Sequence, residues 1–133
     1  MRHLYYIALS LLLLTPLKSS AGEKIAPAEG LVIEKPTHNF GTHERRSKDL
    51  THTFTFTNKG ERPLILLRCN TSCSCIKVEY PRHPIAPGKG GEIKVTYEIR
   101  KRESGVFAKV IELYANDKEG AHLITIQGNS TER

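Results

Sequence analysis

The chain of 133 residues contains no tryptophan, one methionine, three cysteines and only two aspartates. Both aspartates, Asp49 and Asp117, fall in predicted turns, so a pair of catalytic carboxylates is not expected. The sequence also lacks the G-x-S-x-G, H-E-x-x-H and phosphate-loop motifs, which place catalytic groups by their spacing. We therefore predict a protein that is not an enzyme and that needs no cofactor.

Long apolar runs are absent apart from one at the N terminus. Residues 4–17 form a leucine-rich run of about 14 residues, shorter than the roughly 18 that a membrane span needs. A short basic start precedes the run, and small residues follow it at the −3 and −1 positions of a cleavage site after Ala21. We predict a signal peptide over residues 1–21 and a short leader over residues 22–30. An uncleaved N-terminal anchor is the alternative.

The signal peptide predicts an exported protein of the periplasm, the cell envelope or the secreted fraction. After cleavage it would not be an integral membrane protein. The formal net charge of the chain is +6, and a basic surface suits anionic envelope polymers or lipid headgroups. Nucleic acid is not an expected partner, because export is predicted and the basic residues lack interleaved aromatic side chains for base stacking.

Past residue 30 no segment repeats apolar residues with a helical period over three turns, and short β-rich runs alternate with turn signals. About seven antiparallel strands in about 100 residues predict an all-β fold, an immunoglobulin-like β-sandwich. The sandwich is expected over residues 31–129, with a tail at residues 130–133. A small closed barrel is the rival architecture. The predicted strands cover residues 31–34, 50–58, 63–69, 76–80, 91–99, 105–116 and 121–128.

Apolar patterning identifies which side chains should face the core. Strict alternation marks one inner face in each of residues 50–58 and 91–99. Residues 63–69 are nearly all apolar, which predicts a strand covered on both faces, and residues 105–116 are apolar on both faces toward their centre. The predicted core consists of Phe54, Phe56, Leu64, Leu66, Ile93, Val95, Tyr97, Val110, Ile111, Leu113, Leu123 and Ile126.

Three cysteines, Cys69, Cys73 and Cys75, lie within seven positions and are the only ones in the chain. Disulfides are the default for exported thiols, but an odd number leaves one thiol over. On a regular strand the Cα atoms of Cys73 and Cys75 would be about 6.6 Å apart with parallel Cβ vectors, so that pair needs a turn in the backbone. A bond from Cys69 to either of the other two is the easier pairing.

The cysteine loop also admits metal or thiol chemistry. Three thiolates suit Cu(I) or zinc, although no histidine lies within the loop to act as a fourth zinc ligand. Arg68 and Lys77 flank the loop and would stabilise a thiolate for redox exchange, but there is no C-x-x-C motif. The last alternative is a set of buried thiols without chemistry. No metal site is assigned, and its candidate ligands remain Cys69, Cys73 and Cys75.

Seven sequence motifs occur in the order of a known family: "HNFG" (38–41), "FTFTNKG" (54–60), "PL" (63–64), "SCSC" (72–75), "HPIAPGKGGEIKVTY" (83–97), "GVFAKVI" (105–111) and "ITIQG" (124–128). Together they resemble the bacterial domain-of-unknown-function family numbered 1573, which looks related to the immunoglobulin-like group of ASPM/SPD-2/Hydin and major-sperm-protein-like domains. The resemblance covers about residues 31–128 and implies an exported immunoglobulin-like module, in a family without an agreed biochemical activity. The chain differs from the family's usual S-C-G-C-T at Ser74 and Ile76.

The sequence as a whole predicts an exported, non-enzymatic module that binds a protein or a cell-envelope component. Open sheets leave edge strands with unpaired backbone groups, and a partner strand can add there by main-chain hydrogen bonds. The alternative function is thiol redox chemistry or soft-metal handling, of copper or zinc, through Cys69, Cys73 and Cys75.

Overall fold

A computed structural model describes residues 30–99 and 104–132. The predicted signal peptide, and the predicted leader except for Gly30, lie outside the described residues. Within the described ranges no helix has the length and apolar character of a membrane span. The strands are β1 (Leu31–Ile33), β2 (Thr37–Glu44), β3 (Leu50–Asn58), β4 (Leu66–Thr71), β5 (Ile76–Glu79), β6 (Gly90–Tyr97), β7 (Gly105–Ala115) and β8 (Ala121–Thr131).

The strands form two sheets of four, ordered β1-β3-β6-β5 and β2-β8-β7-β4. Neighbouring strands are antiparallel except for β2, which runs parallel to β8. The prediction of an all-β, immunoglobulin-like sandwich is confirmed, with eight strands in place of about seven. In the described chain each sheet ends in two edge strands, which rules out the rival closed barrel.

Strand β2 is the element that the sequence does not predict. Most of its residues are polar, and only alternate positions such as His38 and Phe40 are half-buried. A bulge interrupts its pairing with β8 around Gly41, whose φ of 75° lies in the left-handed region that favours glycine. Strand β8 continues to Thr131, so residues 130–131, which the sequence assigns to the tail, pair with the end of β2.

The core lies between the sheets and is formed by inward-facing side chains of β3, β6, β7 and β8. All the predicted core residues are buried except Val110 and Leu123, which are 43% and 53% exposed. Strands β7 and β8 alternate between core and surface, so the neighbours Ile111 and Ile124 face inward while Val110 and Leu123 face outward. Apolar residues on both faces of these strands conceal that alternation in the sequence.

The prediction that residues 63–69 form a strand covered on both faces is wrong. Strand β4 begins at Leu66 and lies at the edge of its sheet. Leu64 and Leu66 are buried, whereas Ile65 and Leu67 are 36% and 56% exposed. Only one face of this segment meets the core, so the apolar residues between the buried ones face solvent.

Asn58, at the end of β3, is completely buried and holds the turn that follows. Its Nδ2 donates to the carbonyl oxygens of Arg62 and Ile85 at 2.8 and 2.9 Å. Its Oδ1 accepts from the N–H of Gly60 at 2.9 Å. A buried polar group costs stability unless it is hydrogen-bonded, and here one side chain satisfies three backbone groups.

Replacing Asn58 by alanine should lower the free energy of unfolding by about 3 kcal/mol, because three backbone groups lose their partners. Urea denaturation of Asn58→Ala and of the parent protein measures this difference. Lys59→Ala, at an exposed position of the same turn, is the matched control and should change stability by less than about 0.5 kcal/mol. Equal stability of the two variants would contradict the role given to Asn58.

Candidate functional site

The cysteine loop lies where the chain passes from one sheet to the other. Residues 72–75 connect β4, an edge strand of one sheet, to β5, an edge strand of the other. We call residues 72–75 the cysteine crossover. Because the crossover is only four residues long, the open edges of β4 and β5 lie on the same side of the sandwich, away from β1 and β2.

Cys73 and Cys75 form a disulfide with a Cα–Cα distance of 5.1 Å, and Cys69 is left as a free thiol. The expectation that pairing with Cys69 is easier is therefore wrong. The crossover is not a regular strand, because the N–H of Ile76 donates to the carbonyl of Cys73 at 3.2 Å and closes a turn. Cys75 is buried, with only 1% of the residue exposed. Its carbonyl accepts a hydrogen bond from the N–H of Glu98 at 2.8 Å, which ties the crossover to the end of β6.

Cys69 lies on β4 opposite Leu113 of β7 and packs against the core. Burial raises the pKa of the Cys69 thiol, so the nucleophilic thiolate forms less readily than in an exposed cysteine. Arg68 and Lys77, the two cationic residues that flank the cysteines, have other partners. The guanidinium of Arg68 lies 4.1 Å from the ring centroid of Tyr114, and Lys77 Nζ lies 2.9 Å from Glu98 Oε1.

The positions of these side chains weaken the alternative function, which is thiol redox chemistry or metal handling. Two of the three candidate thiolates share a disulfide, which removes the three-sulfur set that Cu(I) or zinc would need. Across residues 30–99 and 104–132, no three histidine, cysteine, aspartate or glutamate side chains are arranged to hold a metal ion. The structure therefore does not favour redox chemistry or soft-metal handling at Cys69, Cys73 and Cys75.

The sheet that contains β4 carries exposed apolar side chains on its outer surface. Leu67 is 56% exposed on β4, Val110 is 43% exposed on β7, and Leu123 is 53% exposed on β8. Asn70 and Val110 also line a shallow recess of about 260 Å³ beside the cysteine crossover. We call the open edge of β4, together with Leu67, Asn70, Val110 and Leu123, the β4 face.

A second recess, of about 500 Å³, lies where β5 ends and β6 begins. Gly90 and Gly91 are among its lining residues, and both pack closely against Phe56: a Cβ at Gly90 would collide with the carbonyl oxygen of Phe56, and a Cβ at Gly91 would lie 2.8 Å from the Phe56 ring. Its lining mixes both charges, since Lys94 Nζ lies 3.6 Å from the exposed Glu79 carboxylate. These glycines serve close strand packing, in agreement with the absence of a phosphate loop from the sequence.

The sequence gives no sign of one buried ionisable pair, Asp117 and His122, which are 3% and 10% exposed at their side chains. Asp117 Oδ2 lies 2.8 Å from His122 Nε2 and accepts from the N–H of Leu31 at 3.1 Å. His122 Nδ1 lies 3.9 Å from Glu119 Oε2. Nε2 is thus at hydrogen-bond distance from a carboxylate, and Nδ1 faces a second carboxylate beyond that distance. The pair fastens β1 to the hairpin between β7 and β8.

In the native protein we expect one titratable thiol, Cys69, which should react more slowly than an unfolded cysteine because burial raises its pKa. Maleimide labelling followed by intact mass measures both the number of thiols and their rate. A Cys69→Ser variant is the control and should take up no label without reductant. Two or three labelled cysteines in the unreduced native protein would contradict the Cys73–Cys75 bond.

Comparison with known proteins agrees with this geometry. The family model described as "Protein of unknown function (DUF1573)" matches residues 31–130. Curated protein sequences provide no match. A protein of unknown function from Porphyromonas gingivalis W83 has a similar structure, with 15% identity and a TM-score of 0.66. That match covers 75% of this chain and 46% of the other, so the chain spans about half the length of that protein.

Two further solved structures have the same kind of fold. The ASH/PapD-like domain 7 of human CEP192 is 11% identical with a TM-score of 0.65, covering 80% of this chain and 89% of that domain. The periplasmic chaperone SfaE is 8% identical with a TM-score of 0.56, covering 77% of this chain and 57% of the chaperone. Segments of larger proteases and of a glycoside hydrolase also match, so the fold alone does not separate binding modules from parts of enzymes. On the match over residues 31–130, this chain belongs to the DUF1573 family, as an immunoglobulin-like domain similar to PapD-like and ASH domains.

Proposed function

We propose that this chain is an exported, non-enzymatic module that binds another protein, or a proteinaceous component of the cell envelope, through its β4 face. The observation that carries the proposal is the distribution of exposed apolar side chains. In the described part of the chain, all the large exposed hydrophobic residues lie on the β2-β8-β7-β4 sheet or directly before β4. They are Ile65, Leu67, Val106, Val110 and Leu123.

The outer surface of the opposite sheet has a different character. Threonines at alternate positions of β3, such as Thr51 and Thr53, are exposed there, together with charged residues of β5 and β6 such as Glu79 and Lys94. Polar, hydrogen-bonding side chains of this kind are stable in water without a partner. The contrast between the two surfaces favours the β4 face as the interface, because buried centres of interfaces are depleted in charged residues.

The edge of β4 is open to a partner strand and lies next to the exposed apolar side chains. Strands β1 and β5 have three and four residues, and β2 is interrupted by the bulge at Gly41. Strand β4 has six residues; its pairing with β7 is irregular between Leu66 and Arg68 and regular from Arg68 to Thr71. A partner strand could therefore hydrogen-bond to this edge while its side chains contact Leu67 and Asn70.

Four features support an exported binding module. The N-terminal pattern is that of a signal peptide, and a disulfide persists in oxidising compartments outside the cytosol. The likeness to the periplasmic chaperone SfaE fits the same compartment and a protein ligand. The buried pair Asp117 and His122 holds β1 in place, which supports a scaffold without turnover.

The cysteines have a supporting role in this proposal. The Cys73–Cys75 bond and the turn at Ile76 fix the short connection between β4 and β5. A fixed crossover holds the β4 edge in register with β7, so a partner meets a rigid edge and loses less entropy on binding. Cys69 contributes half-buried packing beneath that edge.

Binding measurements on surface variants test the proposal. The mature chain, from residue 22, is immobilised and incubated with an envelope extract of the source organism, and the saturable partner is then purified for titration. Leu67→Asp and Leu123→Asp should each weaken its affinity at least tenfold, because a carboxylate would be desolvated at the interface. Thr53→Asp, on the opposite sheet, is the matched control and should leave the affinity unchanged.

Circular dichroism verifies that the three variants remain folded, which their exposure leads us to expect. The absence of any saturable partner would contradict the binding function. A partner whose affinity falls with Thr53→Asp but not with Leu67→Asp or Leu123→Asp would contradict the choice of face. Turnover of envelope polymers by the purified chain would contradict a non-enzymatic role.

A further inference from the structure

The side of the sandwich opposite the cysteine crossover contains two histidines in contact. His38 of β2 and His52 of β3 have ring centroids 3.5 Å apart and planes inclined by 9°, so the imidazoles are stacked. Phe40 meets His38 edge-on at 4.6 Å, and Phe54 meets His52 edge-on at 4.7 Å. We call His38 and His52 the imidazole pair; it joins the two sheets directly, because β2 and β3 belong to different sheets.

This contact lies where the sheets have few other means of holding together. Strand β1 pairs with only the last three residues of β3, from Phe56 to Asn58. The first part of β3, which carries His52, therefore has no neighbouring strand on that side within the described chain. On the facing sheet, β2 is itself an edge strand, and its bulge follows shortly after His38. The imidazole pair thus closes an open corner of the sandwich.

We infer that the imidazole pair is a pH-sensitive latch between the two sheets, closed when the rings are neutral and released when both are protonated. Neutral imidazoles stack as aromatic rings do, whereas two imidazolium rings at 3.5 Å place like charges in contact. Histidine is the side chain whose charge changes between about pH 5 and 8, so mild acidification is sufficient.

The residues paired with His38 and His52 within their own sheets carry no charge. Strand β8 places Ile126 opposite His38, and β6 places Val95 opposite His52. Both residues are fully buried and apolar. Strand β1 is apolar throughout. Protonation of the pair therefore adds charge against apolar neighbours in both sheets.

The charged and titratable groups of the described elements around this corner lie at its rim. Glu34 and Lys35, between β1 and β2, are exposed, and the N–H of Glu34 donates to the carbonyl of Thr55 on β3 at 3.4 Å. His43 of β2 lies with its Nε2 2.7 Å from the carbonyl of Phe40, and Lys109 of β7 pairs with Ile126 on the inner side. Both are cationic when protonated and oppose further positive charge. The charged residues Glu92 and Lys94 of β6 alternate with buried positions and lie on the outer surface, while Asp49, before β3, interacts with Lys77.

The direction of the pH effect follows from His52. Burial lowers its pKa from the ordinary value of 6.5, and charge on His38 lowers it further. The unfolded chain therefore binds protons at His52 more readily than the folded chain does, and stability rises with pH across that interval. The latch is fully closed above about pH 6.5 and is lost as the pH falls through the folded-state pKa.

Release of the latch would separate β2 from the first half of β3 while leaving the centre of the sandwich intact. Strands β7 and β8 pair over ten positions, and the imidazole pair is not part of that pairing. Acidification should therefore expose Phe40, Phe54 and the unpaired edge of β3 without global unfolding. The inference is independent of the β4 face, which lies on the other side of the molecule.

Hydrogen exchange with mass spectrometry on the mature chain tests the latch, with rates corrected for the intrinsic effect of pH. Between pH 7.5 and 5, protection of β2 and of the first half of β3 should fall at least tenfold, while protection of the paired β7 and β8 amides stays unchanged. Histidine NMR over the same range should show the pKa of His52 below the ordinary histidine value of 6.5.

His38→Phe and His52→Phe retain a ring at the contact without a charge that titrates, so either variant should keep β2 protected at pH 5. His83→Gln removes an exposed histidine and should behave as the parent protein does. If one phenylalanine variant fails to fold, the other and the NMR titration of the parent still decide. Unchanged β2 protection in the parent at pH 5, or an equal loss of protection in His52→Phe, would overturn the inference.

Discussion

The structure depends on the burial of inward-facing side chains from the four central strands β3, β6, β7 and β8. Alternate residues of these strands, among them Phe56, Ile93, Leu113 and Ile126, are fully or almost fully buried between the sheets. Burying one such side chain contributes about 1.5–3 kcal/mol, and together these contributions offset the conformational entropy lost on folding. Because the period is two, the same alternation that fills the core also decides which residues reach the two outer surfaces.

The edge strands contribute less to that core, and the two sides of the sandwich are closed by different chemistry. On one side, the Cys73–Cys75 bond and its turn hold the short connection between β4 and β5. On the other, His38 and His52 stack across the sheets. The first contact is covalent and insensitive to mild acid, and the second depends on protonation. Because of this difference, the β4 face stays rigid under mild acid, whereas the corner that contains His38 and His52 responds to pH.

The sequence predicts the fold well wherever patterning is unambiguous, as in the strict alternation of β3 and β6. It fails where a strand is apolar on both sides, as at Val110 and Leu123, since periodicity then cannot assign a face. It also misses β2, whose half-buried positions include histidine, and the turn that brings Cys73 to Cys75. The contact of Asp117 with Leu31 spans 86 residues and leaves no local signal. These misses include both the candidate interface and the imidazole pair, because sites depend on which faces meet in three dimensions.

The account centres on one claim, that a partner protein occupies the β4 face in the exported compartment. Site-specific photo-crosslinking in living cells tests it most directly, with a photoreactive amino acid placed at position 67 on this face or at position 53 on the opposite sheet. The account predicts a discrete protein adduct from position 67 and none from position 53. An adduct from position 53 alone, or none from position 67 in protein that is folded and exported, would contradict it.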